Sequence, residues 1–279
     1  MRRWSFSKGH GTENDFVLVL DREAMLHIGQ AEVRFLCDRR AGIGADGLLR
    51  AVLAKHIDSW HGDGSLWFMD YRNADGSVAE MCGNGARVFA KYLADEGLAT
   101  GPVIPLATRS GLRETRLLLD GRVRVAMGPV RVTEAGVLIT PAGGEPLPAL
   151  TVDVGNPHAV SFVNHLDLLA LAPAPRWEPE SAFPHGVNLE FVRWLGPREL
   201  KLRVYERGVG ETRSCGTGTV AAAAAAHVSG PDPGTFPATY RVHVPGGMLE
   251  VELTEDQAYL TGPAVLVAHG EVVLPEAHS

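Results

Sequence analysis

The chain has 279 residues and a formal net charge of −7 at pH 7, with acidic and basic residues interspersed. Hydrophobic residues make up 45% and charged residues 21%, which is usual for a soluble globular protein. No apolar run is long enough to span a bilayer, and no apolar stretch follows the two N-terminal arginines. These properties argue against a nucleic-acid-binding patch, a membrane segment and a signal peptide, and they predict a cytoplasmic protein.

The first half of the chain predicts mostly strands separated by glycine-rich turns. The turn signal N-A-D-G follows one strand, Gly97 stops a helix, and Asp120-Gly121 marks a hairpin. The predicted elements in chain order are strand–loop–strand at 4–21, a short helix at 31–40, strands at 48–54 and 65–77, a helix within 79–97, and strands at 103–111, 112–120 and 121–128.

The second half repeats this scheme. A segment rich in proline and glycine, 129–150, is the predicted crossover between the halves. The predicted elements that follow are a strand with an embedded G-N-P-H loop at 150–164, strands at 183–195 and 198–208, a loop and helix at 211–230, a hairpin over P-G-G at 241–256, and one or two closing strands at 263–274.

The two halves match each other in order. GTENDFVLVL near the start matches VGNPHAVSFV, and YRNADGSVAEMCGNG matches YERGVGETRSCGTG. A period of about 130 to 140 residues is too long for a solenoid repeat. The repeat therefore predicts two similar domains.

Each half places a cysteine before a glycine-rich helix entrance, at 82–85 and at 215–218. The first turn of a helix has unpaired N–H groups and a partial positive charge, so two converging entrances could hold one carboxylate. The same field favours the thiolate form of a cysteine. A thiolate on one face of an α-carbon and a thiol on the other could invert that carbon without a cofactor.

The remaining cysteine and the histidines show no metal-binding pattern. The three cysteines include no C-x-x-C pair, and the eleven histidines include no H-E-x-x-H motif. Cys37 lies in an apolar helix and is predicted to be a core residue. We expect no metal ion, no cofactor and no disulfide framework.

Six motifs resemble those of the diaminopimelate epimerase family. Its members are pyridoxal-independent isomerases of lysine and peptidoglycan-precursor biosynthesis. The motifs are HGTENDFV, GIGADG, NADGSVAEMCGNGAR, GNPHAV, GVNLEF and YERGVGETRSCGTGT. The resemblance implies conversion of LL-2,6-diaminopimelate to its meso form by a homodimer. It implies an α/β (α+β) fold with two pseudosymmetric domains, each a curled mixed or antiparallel sheet around a central helix, with the active site in the cleft. We expect domains at 1–127 with a returning strand at 264–279, and at 128–263.

The resemblance also implies roles for the matching residues. Cys82 and Cys215 would be the acid–base pair, Glu206 would bind the reacting ammonium, and His158 would position or tune a thiol. The residues implied to bind substrate are Gly83, Asn84, Gly216 and Thr217 at the reacting carboxylate, and Asn14, Asn73, Asn156, Asn188 and Arg207 at the distal amino-acid end. Amide groups suit a zwitterion because they both donate and accept hydrogen bonds, and arginine offers a fork for a carboxylate.

The sequence departs from the family pattern at two positions. Glu13 replaces a glycine in the first motif, which predicts a reshaped loop with function retained. Gly47 stands where some members carry glutamine, so that side chain can make no contact here.

Two other functions are compatible with the cysteines. The same chemistry serves racemases of other amino acids, such as proline, although a small substrate does not need the asparagine cluster and Arg207. Alternatively, Cys82 and Cys215 could be a cytosolic redox pair.

Overall fold

A computed structural model describes residues 2–230 and 233–275. Contacts divide the chain into two compact units. The first contains the residues up to Val125 together with those from Pro263 onward, and the second is Ala126–Gly262. Within the described ranges, no helix is long and apolar enough to cross a membrane.

Short strands and two longer helices make up both halves of the chain. Up to Gly128, the elements are β1 (Arg2–Gly11), β2 (Asn14–Leu20), α1 (Gln30–Cys37), β3 (Gly47–Leu53), β4 (Trp67–Asn73), α2 (Gly83–Asp95), β5 (Val103–Thr108), β6 (Gly111–Leu117) and β7 (Val123–Gly128). From there, they are β8 (Arg131–Thr140), β9 (Leu147–Asp153), β10 (Pro157–Phe162), β11 (Arg176–Glu178), β12 (Asn188–Gly196), β13 (Glu199–Glu206), β14 (Gly210–Thr212), α3 (Gly216–Ser229), β15 (Ala238–Val244), β16 (Gly247–Leu253), β17 (Ala258–Gly262) and β18 (Val265–Leu274).

The main strands of the two units pair in the same pattern. The first unit has the order β18-β1-β2-β3-β4-β5-β6-β7, in which β2–β3 and β4–β5 are parallel and the other pairs antiparallel. The second has the order β8-β9-β10-β12-β13-β15-β16-β17, in which β10–β12 and β13–β15 are parallel and the others antiparallel. This correspondence confirms the predicted α+β fold with two pseudosymmetric domains.

Each sheet wraps around one helix. Helix α2 contacts β18 and β1 to β6, and α3 contacts every main strand of its own sheet. A sheet can touch a helix along nearly all of its strands only if it curls around it. Alanines at 221–226 of α3 are buried, and their small side chains let strands approach from all sides. The helix N-termini are thereby fixed by the core of each unit.

Two sequence-based assignments differ from the structure. The predicted crossover contains strand β8 and the start of β9, and the predicted strand with an embedded loop at 150–164 is a hairpin of β9 and β10. The chain reverses because Gly155 has φ +92° and its N–H donates to Asp153 Oδ1 at 2.8 Å. Glycine reaches this conformation without a steric penalty, so the G-N-P-H stretch is a turn between strands.

Candidate active site

In the first unit, Cys82 is the N-cap residue of α2. Its backbone is extended, with φ −137° and ψ 118°, and its Sγ accepts a hydrogen bond from the Gly85 N–H at 3.3 Å. The side chain is half-buried. A sulfur in this position receives a backbone donor and lies at the positive end of the helix, as expected from the C-G-N-G sequence.

Two asparagines lie beside the Cys82 sulfur. Asn14, at the start of β2, has its Oδ1 3.7 Å from Cys82 Sγ. The same oxygen accepts a hydrogen bond from Asn84 Nδ2 at 3.2 Å, while Asn14 Nδ2 donates to Asp46 Oδ2 at 2.8 Å. The structure therefore brings three of the predicted site residues together: Asn14, Cys82 and Asn84.

Arg87 is a residue of this cluster that the sequence-based reasoning missed. It lies one helical turn after Gly83, is fully buried, and donates through Nη2 to Asn84 Oδ1 at 2.8 Å. Burial lowers its pKa to about 10, which the charge of Cys82 partly opposes. The only sequence signal was an arginine inside an otherwise core-facing helix.

Asn73 lies at the end of β4 and is engaged in the turn that follows. Its Nδ2 donates to Ser77 Oγ at 2.9 Å, and its backbone N–H donates to the Ser77 carbonyl at 2.9 Å. Gly76, with φ +85°, completes the turn. No hydrogen bond between the described residues joins Asn73 to Cys82 here.

The two departures from the family pattern have clear structural settings. Glu13 follows Thr12 in the β1–β2 turn, and both have positive φ, +62° and +51°. Glycine adopts this conformation more easily than glutamate, so Glu13 holds it at a steric cost. At Gly47, a Cβ would lie 2.7 Å from the Tyr71 ring and 2.6 Å from the Arg72 carbonyl oxygen, so a side chain does not fit.

In the second unit, Cys215 is the N-cap residue of α3. Its Sγ accepts a hydrogen bond from the Gly218 N–H at 3.4 Å and lies 3.5 Å from Thr217 Oγ1. Cys215 is buried, whereas Cys82 is half-buried. The two copies of the motif thus form the same local structure in different surroundings.

A buried histidine–carboxylate pair lies close to Cys215. His158 Nδ1 is 2.7 Å from Glu190 Oε1, and His158 Nε2 is 3.0 Å from Asn156 Oδ1. Both ring nitrogens therefore lie within hydrogen-bond distance of a side-chain oxygen. Asn156 Nδ2 in turn donates to Thr217 Oγ1 at 3.4 Å. His158 therefore fixes Asn156 beside the entrance of α3.

Glu190 is a second residue that the sequence-based reasoning missed. It is fully buried on β12, and a Cβ added at Gly218 would lie 2.6 Å from its Oε1. The second glycine of this motif thus makes room for a carboxylate. The sequence signal was a glutamate within the apolar strand GVNLEF.

Glu206 contributes a further carboxylate next to Cys215. It accepts a hydrogen bond from the Thr212 hydroxyl, and its charge acts on the Cys215 thiol. Burial, and to a lesser extent the charge of Glu190, raises the pKa of Glu206. Burial and the carboxylates of Glu206 and Glu190 raise the pKa of Cys215 well above its ordinary value. At Cys215 these groups oppose the helix field, which by itself favours a thiolate.

Asn188 connects β12 to the end of β13. Its Oδ1 accepts the Arg207 N–H at 3.0 Å, and its Nδ2 donates to the Pro157 carbonyl at 3.2 Å. The Arg207 side chain is exposed and donates to the His185 carbonyl at 3.3 Å. Asn188 thus holds the backbone that carries Glu206 and Arg207.

Cys37 is the last residue of α1 and packs in a hydrophobic core cluster of the first unit. Burial raises the pKa of its thiol to about 12. Among residues 2–230 and 233–275, no three His, Cys, Asp or Glu side chains are grouped as metal ligands.

The family that matches the sequence is described as diaminopimelate epimerase, and the match covers residues 6–133 and 150–267. The chain belongs to the diaminopimelate epimerase family. Diaminopimelate epimerase of Corynebacterium glutamicum is 49% identical over 275 residues, covering 96% of this chain and 97% of that protein. The Streptomyces coelicolor diaminopimelate epimerase is 50% identical over 276 residues, covering 96% and 95%.

A solved structure outside this family has the same fold. The hydroxyproline epimerase of Agrobacterium vitis aligns with a TM-score of 0.70, covering 99% of this chain and 94% of that one. The two share only 15% of their residues, so this likeness shows a common fold and nothing about the substrate.

Proposed function

We propose that this protein is an isomerase that converts LL-2,6-diaminopimelate to meso-diaminopimelate in lysine and peptidoglycan-precursor biosynthesis. The observation that carries the proposal is the pair of cysteine N-caps, one at the central helix of each unit. They occur in a chain that is about half identical to diaminopimelate epimerases over nearly its whole length.

The proposed reaction is a two-base inversion. One cysteine thiolate takes the α-proton, and the electron pair left on the carbon spreads into the adjacent carboxylate. The other cysteine thiol then gives a proton to the opposite face, so the pair ends with its protonation states exchanged. N–H groups at the two helix entrances stabilise the developing charge, and we assign them to Gly83, Asn84, Gly216 and Thr217.

The surroundings of Cys215 support its role as the proton donor in the resting enzyme. It is buried next to two carboxylates, which favour the thiol. In the proposed complex, the substrate ammonium binds Glu206 and offsets one of these charges. Cys215 can then also ionise, as the reverse reaction requires.

His158 is proposed to act by position and not by proton transfer. Both of its nitrogens are occupied, by Glu190 and by Asn156. We propose that it orients Asn156 towards substrate. The distal amino-acid end is assigned to five side chains: Asn14, Asn73, Asn156, Asn188 and Arg207. For Asn73 to take this role, its side-chain amide must give up its hydrogen bond to Ser77 Oγ and form one with the substrate instead.

Replacing Arg207 with lysine tests the distal site. We expect kcat/KM to fall by a factor equivalent to roughly 1.5–3 kcal/mol of transition-state binding. The reason is that the point charge of a lysine ammonium replaces the planar, bidentate guanidinium group at a carboxylate. Remote binding energy also supports catalysis, so kcat should fall together with affinity. Steady-state kinetics measure both; Arg193→Lys, on an exposed side chain of β12, is the matched control. Unchanged kinetics in Arg207→Lys would show that the residue does not contact substrate.

We also propose that the protein is a cytoplasmic homodimer. Strand β18 carries three partly exposed valines, Val265, Val267 and Val273, and among the described strands it pairs only with β1. An apolar edge strand is a common pairing surface. Light scattering should give about twice the chain mass of 29.9 kDa; a monomer at micromolar concentration would contradict this proposal.

A substrate panel separates the proposed function from the alternatives. The purified protein is incubated with LL-diaminopimelate, L-proline and L-hydroxyproline, without added cofactor and with dithiothreitol. We expect conversion of diaminopimelate only. Conversion of proline would favour the racemase, and inactivity towards all three under reducing conditions would favour a redox role for the cysteines.

A further inference from the structure

Among residues 2–230 and 233–275, the buried guanidinium of Arg87 finds only neutral hydrogen-bond acceptors. It donates to Asn84 Oδ1 at 2.8 Å, to Thr12 Oγ1 and the Pro263 carbonyl at 3.3 Å each, and to the Gly83 carbonyl at 3.4 Å. Burying a cation without a counter-charge is costly, so a fully buried arginine is normally paired with an anion.

Among the described residues, no carboxylate forms an ion pair with Arg87. Carboxylates on the strands that contact α2 have other cationic partners: Asp15 on β2 pairs with Lys8 on β1, and Asp70 on β4 pairs with three arginines, Arg50, Arg72 and Arg109. The contacts of Arg87 lead instead towards Cys82: it donates to the carbonyl of Gly83, the next residue in the chain, and to Asn84, which donates to the same Asn14 oxygen that lies 3.7 Å from the Cys82 sulfur. Cys82 is therefore the ionisable group placed to act as a counter-ion, and its charge would raise the pKa of the guanidinium against the effect of burial.

The second unit lacks this feature. Val220, a buried apolar residue, occupies the position after Cys215 that Arg87 occupies after Cys82. Cys215 instead adjoins the carboxylates of Glu190 and Glu206. The two helix entrances thus have the same backbone structure but neighbours of opposite charge: the cation Arg87 by Cys82, and the carboxylates of Glu190 and Glu206 by Cys215.

We propose that Arg87 is a positioning residue that holds Cys82 as a thiolate by supplying its buried counter-charge. Arg87 acts on the sulfur through the field in the core and through Asn84, which it orients towards Asn14. The Asn14 oxygen, 3.7 Å from the sulfur, would accept from a thiol and so opposes ionisation. Arg87 and the Gly85 N–H together outweigh this weak contact. The proposal deepens the proposed function by assigning Cys82 as the base in the resting enzyme.

The test is the pH dependence of iodoacetamide labelling at each cysteine, measured by peptide mapping of the full-length protein. In the parent protein, labelling of Cys82 should have a midpoint below about 8.5, the ordinary value for a thiol. In Arg87→Gln, which keeps an amide donor but removes the charge, labelling of Cys82 at pH 7 should fall roughly tenfold or more, equivalent to at least one pKa unit. Arg87→Lys keeps the charge but loses the planar guanidinium group, so labelling of Cys82 at pH 7 should stay within about threefold of that in the parent protein.

The labelling experiment distinguishes charge from packing. Cys215 serves as the internal control, and its labelling should not change in either variant. If Arg87 only supports packing, both variants unfold at lower temperature while the Cys82 midpoint stays constant. That result would overturn the proposal. So would a labelling midpoint for Cys82 in the parent protein at or above about 8.5, the ordinary thiol value. This second outcome can be measured even if Arg87→Gln does not fold. Labelling needs no substrate, so its outcome is independent of whether the protein acts on diaminopimelate.

Discussion

Replacing either Cys82 or Cys215 with alanine is expected to lower kcat for epimerisation by about 10²- to 10⁴-fold, the usual contribution of one acid–base group. Each thiol serves one face of the α-carbon, so the remaining cysteine cannot complete the inversion. It can still remove and return a proton on its own face. We therefore expect Cys82→Ala and Cys215→Ala each to retain some exchange of the α-hydrogen with solvent while losing inversion.

Cys37→Ala is the matched control for both variants. Cys37, the last residue of α1, is buried in the core, and burial raises the pKa of its thiol. This substitution should therefore leave kcat within about twofold while lowering stability by a few tenths to 1 kcal/mol for a small cavity. Circular dichroism and thermal unfolding show that each variant is folded. Equal loss of activity in Cys37→Ala would refute the assignment of the acid–base pair.

Glu206→Gln is expected to have two separable effects. The first is a fall in kcat/KM of about 10²-fold or more, because a half-buried carboxylate that binds the substrate ammonium contributes several kcal/mol when paired. The second is faster labelling of Cys215 by iodoacetamide at pH 8. The Glu206 charge raises the pKa of Cys215, so removing that charge lowers the pKa and increases the thiolate fraction.

Glu211→Gln is the control for this substitution. Glu211 lies on the neighbouring strand β14 but forms an exposed ion pair with Arg203, away from the thiol. It should change neither kcat/KM nor Cys215 labelling appreciably. Slower labelling of Cys215 in Glu206→Gln would mean that Glu206 stabilises the thiolate, contrary to the arrangement described here.

Much of the fold could be predicted from sequence because its signals are local. Glycine and asparagine mark turns through their backbone freedom, and the C-G-x-G stretches lead into helices in both halves. Strand β8 was missed because proline and glycine flank it, and because its register shift between Thr133 and Val137 breaks the strict alternation. Pairing of β18 with β1 depends on contacts between the two ends of the chain, which no local pattern encodes.

The electrostatics of the site could not be predicted in the same way. Both cysteines precede a Gly-x-Gly sequence, and both accept a helix N–H. Their surroundings differ through Arg87, one turn along α2, and through Glu190, which lies on a strand separate from α3. In sequence, these residues are an arginine in a helix and a glutamate in a strand. Only folding shows that both are fully buried beside a sulfur.

Incubation of the purified protein with LL-diaminopimelate in heavy water, without added cofactor, tests the central claim most directly. The two-base account predicts meso product with deuterium at the inverted carbon from the first turnovers, while residual LL substrate gains deuterium more slowly. The incoming proton comes from a thiol that has equilibrated with solvent, whereas the abstracted hydrogen stays on the other cysteine. Meso product that retains the original hydrogen, or activity that appears only when pyridoxal phosphate is added, would contradict the account.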